Sequence, residues 1–165
     1  MASKYRVATQ QQSVGVCFGP GQFVSGELFL HSGTSAHAGP ESVEDLLNDP
    51  APFFPLRVSD AQPGTLLISK AHVRFVTTPR DEGARGDDSA LISIGVEVRF
   101  DETETVRGIL RFEQRPGRQR LLDVVNDGLR TFFSLSQTDQ HVIVNRAHVQ
   151  SVSDVTDVFD LKLPK

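Results

Sequence analysis

Apolar and other residues alternate with period two over 14–18 and 24–30, and again over 96–100 and 106–112. Each pair of runs predicts two half-buried strands joined by a short turn. In the first pair the turn is Gly19-Pro-Gly21, strong turn chemistry, and in the second it is Asp101-Glu-Thr-Glu, without glycine. Gly26 and Gly108 occupy the same interior position of the second strand. A glycine weakens a strand unless a bend or a close backbone approach needs it, so a sharp bend is expected there. The pattern then changes to helical spacing. Val43, Leu46 and Leu47 form one apolar face behind Ser42 and Asp45, which resemble a capping box, and Leu121, Val124 and Val125 do the same without the serine. Asn48 and Asn126 fall where each helix should stop, a position that suits a C-cap. Phe53, Phe54 and Leu56, and likewise Phe132, Phe133 and Leu135, mark a third strand. A dense apolar strand, a Ser-Lys-Ala-His turn and a further strand over 73–76 close the first set.

These runs are two versions of one text. The pattern V-x-V-x-F-x5-V-x-G-x-L-x-[LF] fits from Val14 and from Val96 without a gap, an offset of 96 − 14 = 82. The helix, the Phe-Phe strand and the closing block follow in the same order. Leu66 to Val76 answers Val142 to Val152 at an offset of 142 − 66 = 76. Drift of this kind is expected when insertions fall in loops. The reading is a mainly β, β-rich α+β chain made of two tandem β-β-α-β-β-β modules packed as a pseudo-dimer across a pseudo-twofold. Residues 13–76 form the first module, 77–90 a polar linker, 91–152 the second module, and 153–165 a tail whose Val155, Val158 and Phe159 suit docking as a last strand or short helix. Whether each module closes into a barrel is left open by the pattern.

Two blocks resemble the Sm-like small barrel. V-x-V-x-F…V-x-G-x-L is similar to the first Sm signature, with its bent, glycine-bearing second strand. Leu66-Leu-Ile-Ser-Lys-Ala-His-Val is similar to the second signature: strand, short turn, strand. The resemblance covers about half of each module. It departs in placing the helix between the second and third strands rather than before the barrel, and the Sm acidic–asparagine nucleotide pocket has no counterpart. It implies that Lys70/Arg146 and His72/His148 sit where some members touch RNA. The whole repeat also resembles an uncharacterised bacterial tandem-repeat family worded R-L-x-D-x-L-N, F-F-x-L, V-N-K-x-H-I-x-x-V. Gln119 to Asn126 and Val144 to Val149 carry that likeness, which brings no activity with it.

Composition narrows the partners. The net charge of −4 and pI near 5.7 give no whole-protein basic field for gripping phosphate backbones. One cysteine excludes an intramolecular disulfide. No apolar run approaches the ~20 residues of a membrane span, and the polar N-terminal stretch is unlike a signal peptide. A reduced, cytoplasmic setting is the expectation.

Candidate chemistry is sparse. His72 and His148 hold equivalent positions and form a weak metal or anion pair, lacking the third ligand a zinc or iron site wants. The plainer reading is that each imidazole caps its turn through a backbone hydrogen bond. Asp45 and Asp123 could be paired carboxylates, but an acid in a first helical turn already suits the helix dipole. Cys17, on the outward-alternating side of its strand, has no activating base at any telling spacing. No Walker, G-x-S-x-G or dinucleotide motif occurs. The modules differ most in their loops. Residues 31–40 are long and uncharged, whereas 113–120 carry Arg115, Arg118 and Arg120, with Arg107 and Arg111 nearby. These arginines, with Lys70 and Arg146, are the candidate contacts for an acidic partner or a nucleic-acid backbone. The plainer reading is a solvated loop. The expected function is a non-catalytic binding or adaptor protein of the bacterial cytoplasm, not an enzyme, needing no cofactor and acting through contacts with another protein. The chain itself is expected as a monomeric pseudo-dimer or a homo-oligomer. An Sm-like RNA-binding module is the alternative, and a small-ligand or metal sensor a weaker one.

Overall fold

The computed structural model describes residues 9–32, 39–59, 64–80, 91–113, 116–117, 120–128 and 130–155. The first half runs β1 (Thr9–Gly19), β2 (Gln22–His31), α1 (Val43–Asn48), β3 (Phe53–Val58), β4 (Gly64–Ser69), a 3-10 turn (Lys70–His72) and β5 (Phe75–Pro79). The second half runs β6 (Leu91–Arg99), β7 (Thr105–Glu113), α2 (Leu121–Val125), β8 (Phe132–Ser136), β9 (Gln140–Asn145), a 3-10 turn (Arg146–His148) and β10 (Ser151–Asp154). The structure is mainly β. All ten strands join one open antiparallel sheet, in the order β10-β6-β7-β8-β9-β5-β1-β2-β3-β4. Within each half the order is fifth, first, second, third, fourth. No helix among the described residues is long and apolar enough to cross a membrane.

Local chemistry explains the elements. Gly21 turns the first hairpin at φ +70, a conformation glycine adopts without strain. In the corresponding turn, Asp101 Oδ1 accepts from the Thr103 and Glu104 amides and so holds a tight loop without glycine. At Gly26 the structure shows a close approach of the neighbouring strand β3. A β-carbon there would lie 2.4 Å from the Arg57 carbonyl oxygen, because β3 crosses directly over the strand. Gly108 is in the same position, with Leu135 Cβ at 2.8 Å. Ser42 Oγ accepts from the Asp45 amide at 3.1 Å while the Asp45 carboxylate accepts from the Ser42 amide at 3.1 Å, a full capping box on α1.

Three boundaries differ from the sequence reading. β1 begins at Thr9, ahead of residue 13. β5 runs through Thr77 and Thr78 into the expected linker, because these β-branched residues pair with Val142 and His141. The start of the expected tail is strand: Ser153 and Asp154 pair with Glu97 and Val96, and Val155 N–H donates to Gly95 O at 2.8 Å. Val158 and Phe159 lie outside the described residues.

The expected pseudo-twofold does not hold. A two-fold axis would pair β5 with β10, or β4 with β9. Instead β5 pairs with β9, Phe75 opposite Val144 through to Pro79 opposite Gln140, which is a head-to-tail relation. The reason lies in the side chains: β5 and β9 present complementary surfaces rather than identical ones.

The packing shows this. The first core gathers Val14, Val16, Leu28, Leu47, Phe54, Leu56, Val73 and Val76, together with Phe132 and Ile143 from the second half. The second core, around Val96, Val98, Leu110, Leu135, Val142 and Val144, receives no buried residue from β3 or β4.

Candidate interaction surface: a closed seam and two open edges

The seam between β5 and β9 is built as follows. Along β9, Val142 and Val144 point into their own core while Ile143, between them, points into the first one, as strand alternation requires. Phe132 on β8 joins it, 1% exposed. α1 then fixes this phenylalanine by its backbone. Asn48 Nδ2 donates to Phe132 O at 3.0 Å, and Asn48 Oδ1 accepts from Phe132 N–H at 2.9 Å. Glu44 on the same helix pairs with Arg130 at 2.8 Å and bonds the Ser134 hydroxyl.

The two 3-10 turns meet across the same seam. Asn145, 1% exposed, donates through Nδ2 to the Lys70 and Val73 carbonyls. His148 Nε2 bonds the Ala71 carbonyl at 2.6 Å; since a carbonyl only accepts, that nitrogen carries the proton. Beside these turns Arg74 reaches the turn between β6 and β7, with its Nη1 2.6 Å from both Asp101 and Glu104 carboxylates. The Arg74 guanidinium, followed by the Thr103 amide, holds the Asp101 carboxyl well below the usual aspartate range.

The outer edges are the seam's two halves with no partner strand among the described residues. On β4, Leu67 is 71% exposed, against 2% for its counterpart Ile143. Phe53 is 54% exposed, against 1% for Phe132. Leu66 is exposed too. At the opposite end, Val125, Val149 and Val152 are half-buried, whereas their counterparts Leu47, Val73 and Val76 are fully covered by the seam. Exposed aliphatic side chains in a row on an unpaired edge strand form a surface suited to strand pairing.

The predicted site residues fall in different places. Lys70 is buried, and its ammonium donates to the Leu46 and Asp49 carbonyls at 2.7 Å each, closing the C-terminal end of α1. Burial pushes its pKa down, with Asp49 and Glu41 pulling the other way. Its counterpart Arg146 opens the second 3-10 turn, half-buried. Arg107 pairs with Glu97 at 2.6 Å. Arg111 lines a groove beside the seam with His141, Glu41 and Glu44. Arg120 is exposed at the start of α2, and Arg115 and Arg118 lie outside the described residues. Lys70 is thus bound to α1 and Arg107 to Glu97, each away from the other. His72 is exposed on its turn while His148 is engaged across the seam. Among the described residues no three His, Cys, Asp or Glu side chains are grouped to hold a metal ion.

Cys17 departs from the sequence reading. It is buried rather than outward-facing, with its Sγ 3.5 Å from both Gly19 O and Glu104 Oε1. Burial first, then the Glu104 charge, pushes its pKa up to about 11, so it is a poor nucleophile at neutral pH.

Sequence reasoning missed Asn48 and Asn145. Asn126 is the C-cap of α2, at φ −88 rather than in a left-handed conformation, whereas α1 is capped by Asp49 and Asn48 instead reaches Phe132 across the seam. Comparison of this chain with protein-family models, with curated proteins and with solved structures gives no match.

Proposed function

We propose that this chain is a non-catalytic protein–protein interaction module, two fused copies of a small Sm-like unit that bind through their open strand edges. The observation that carries the reading is the apolar β4 edge, where Leu66, Leu67 and Phe53 stand exposed beside unpaired backbone. An extended edge of this kind recruits a strand by main-chain hydrogen bonds, with alternate side chains supplying specificity. The charges fit the same reading. Two of the expected basic contacts are engaged elsewhere, the Lys70 ammonium by helix carbonyls and Arg107 by Glu97.

A benzophenone photo-crosslinking residue at position 67 tests it. We expect a protein adduct that is lost when Phe53→Ser is added, and little adduct from the same probe at the exposed Gln11 on β1. Salt-sensitive capture of RNA through Arg111 and Arg120, with no protein adduct at 67, would replace this reading with a nucleic-acid one.

A further inference from the structure

Resting on that reading, we infer that the partner of the β4 edge is the β10 edge of a second copy of this chain, in the register of the internal seam. The seam itself is the template. Residues correspond between halves at fixed offsets, so the β5–β9 pairing dictates what a β10–β4 pairing must be. Val76 opposite Ile143 becomes Val152 opposite Leu67, and Thr77 opposite Val142 becomes Ser153 opposite Leu66.

Several elements of the internal seam have an exposed or half-buried counterpart outside. Phe132 and Ile143 plug the first core; Phe53 and Leu67 are the matching plugs, and both are exposed. The counterparts of the residues that cover the inner plugs, Val125, Val149 and Val152, are only half-buried. Asn126 stands where Asn48 stands, placed to bracket the backbone of Phe53 as Asn48 brackets that of Phe132. His72 stands where His148 stands, facing the carbonyl of the next chain's Ala147.

The polar contacts change in a concerted way. Glu44 meets Arg130 and Ser134 inside the chain. The corresponding outer set is Leu122, one of the most exposed apolar side chains, against Ala51 and Pro55. Every member of the ionic set is replaced by an apolar residue, on both sides of the contact. That exchange fits a second, separate interface and not a solvated surface. The backbone is ready as well. Val155 N–H donates inward to β6, so by strand alternation the amide of Val152 faces outward, as that of Val76 does toward β9. Because the contact is head-to-tail, each bound copy still offers a free edge, and assembly proceeds to a closed ring or an open fibre.

Light scattering on the full chain after size exclusion should give a mass that is a multiple of 18.1 kDa. Leu67→Asp blocks β4 at a side chain exposed in the single chain, and Val152→Pro removes an outward amide from β10. Each variant alone should run as one chain with unchanged circular dichroism. Mixed together they should form a two-chain species, because one retains a free β10 and the other a free β4. In a Cys17→Ser background, Leu66→Cys with Ser153→Cys should give a reducible intermolecular disulfide, and Leu66→Cys alone should not. A single-chain mass for the unmodified protein at every concentration overturns the inference. So does equal cross-linking by Leu66→Cys alone, which would mean β4 pairing with β4. If the mass is that of one chain but the probe at position 67 still captures another protein, self-pairing is wrong and the interaction reading stands. If neither occurs, both fall.

Discussion

The inner seam and the outer edges are made from corresponding residues, yet one is closed and the other open. Phe132 is fully buried in a core to which its own half contributes little else, while Phe53 is more than half exposed. Chemistry at the position does not account for this, since both are phenylalanine preceding phenylalanine. Location in the chain does: Phe132 has a neighbouring module on the side it faces, and Phe53 faces the end of the sheet. The comparison teaches that burial here belongs to the contact rather than to the residue. On the self-pairing we infer, the two edges would be one interface met at two stages of completion.

Substitutions at matched positions should separate the two. The largest difference is expected from Phe132→Ala, which opens a cavity in the first core and should cost about 3–5 kcal/mol in urea unfolding. Phe53→Ala, in the Leu67→Asp background that keeps the chain single, should stay within about 0.5 kcal/mol. Equal losses at the two sites would dissolve the comparison. Next comes Asn48→Ala, which leaves the Phe132 amide and carbonyl without their buried partner and should cost about 1–3 kcal/mol. Asn126→Ala in the same background should cost about 0.5 kcal/mol or less.

The ionic latch sharpens the contrast further. The Asp101 carboxyl is depressed below its unfolded value by Arg74. Its stabilisation is thus present above the ordinary aspartate range and is lost as the pH falls below it, toward the folded-state value. The outer edge has Gln150 where Arg74 stands and Gly19 where Asp101 stands, so it lacks the latch. Acid titration of thermal stability should show a limb that Asp101→Asn flattens, while chain-to-chain assembly changes little over the same window. The smallest effect on stability belongs to Cys17. Its thiol is buried against Glu104 and its pKa is raised to about 11, so iodoacetamide at pH 8 should label it slowly. Labelling should accelerate with Phe132→Ala, which loosens the seam, and not with Phe53→Ala.

Much of the fold could be read along the chain. The succession of strands and helices and the Ser42–Asp45 cap each depend on local spacing and turn chemistry. What could not be read depends on partners far away in sequence. Thr77 and Thr78 looked like linker because their strand partner, β9, begins some 60 residues later. Asn48 looked like a helix stop because nothing near it reveals Phe132. Lys70 looked like a phosphate contact because the carbonyls it caps come from α1, reached only when the chain folds back. Period-two alternation separates one face of a strand from the other, but it does not say which face meets a second module. Leu67 and Ile143 carry the same signal and have opposite fates.

The shared first core also sets a timetable. Two of its side chains, Phe132 and Ile143, are translated well after the strands they complete. At roughly 5–20 residues per second, the nascent first half waits several seconds on the ribosome with its hydrophobic interior unsealed and the β5 edge bare. Folding of this protein is consequently a post-synthetic, whole-chain event of high contact order, slow for its size. A fragment ending near residue 90 should be an aggregation-prone collapsed species, not a miniature of the native first half.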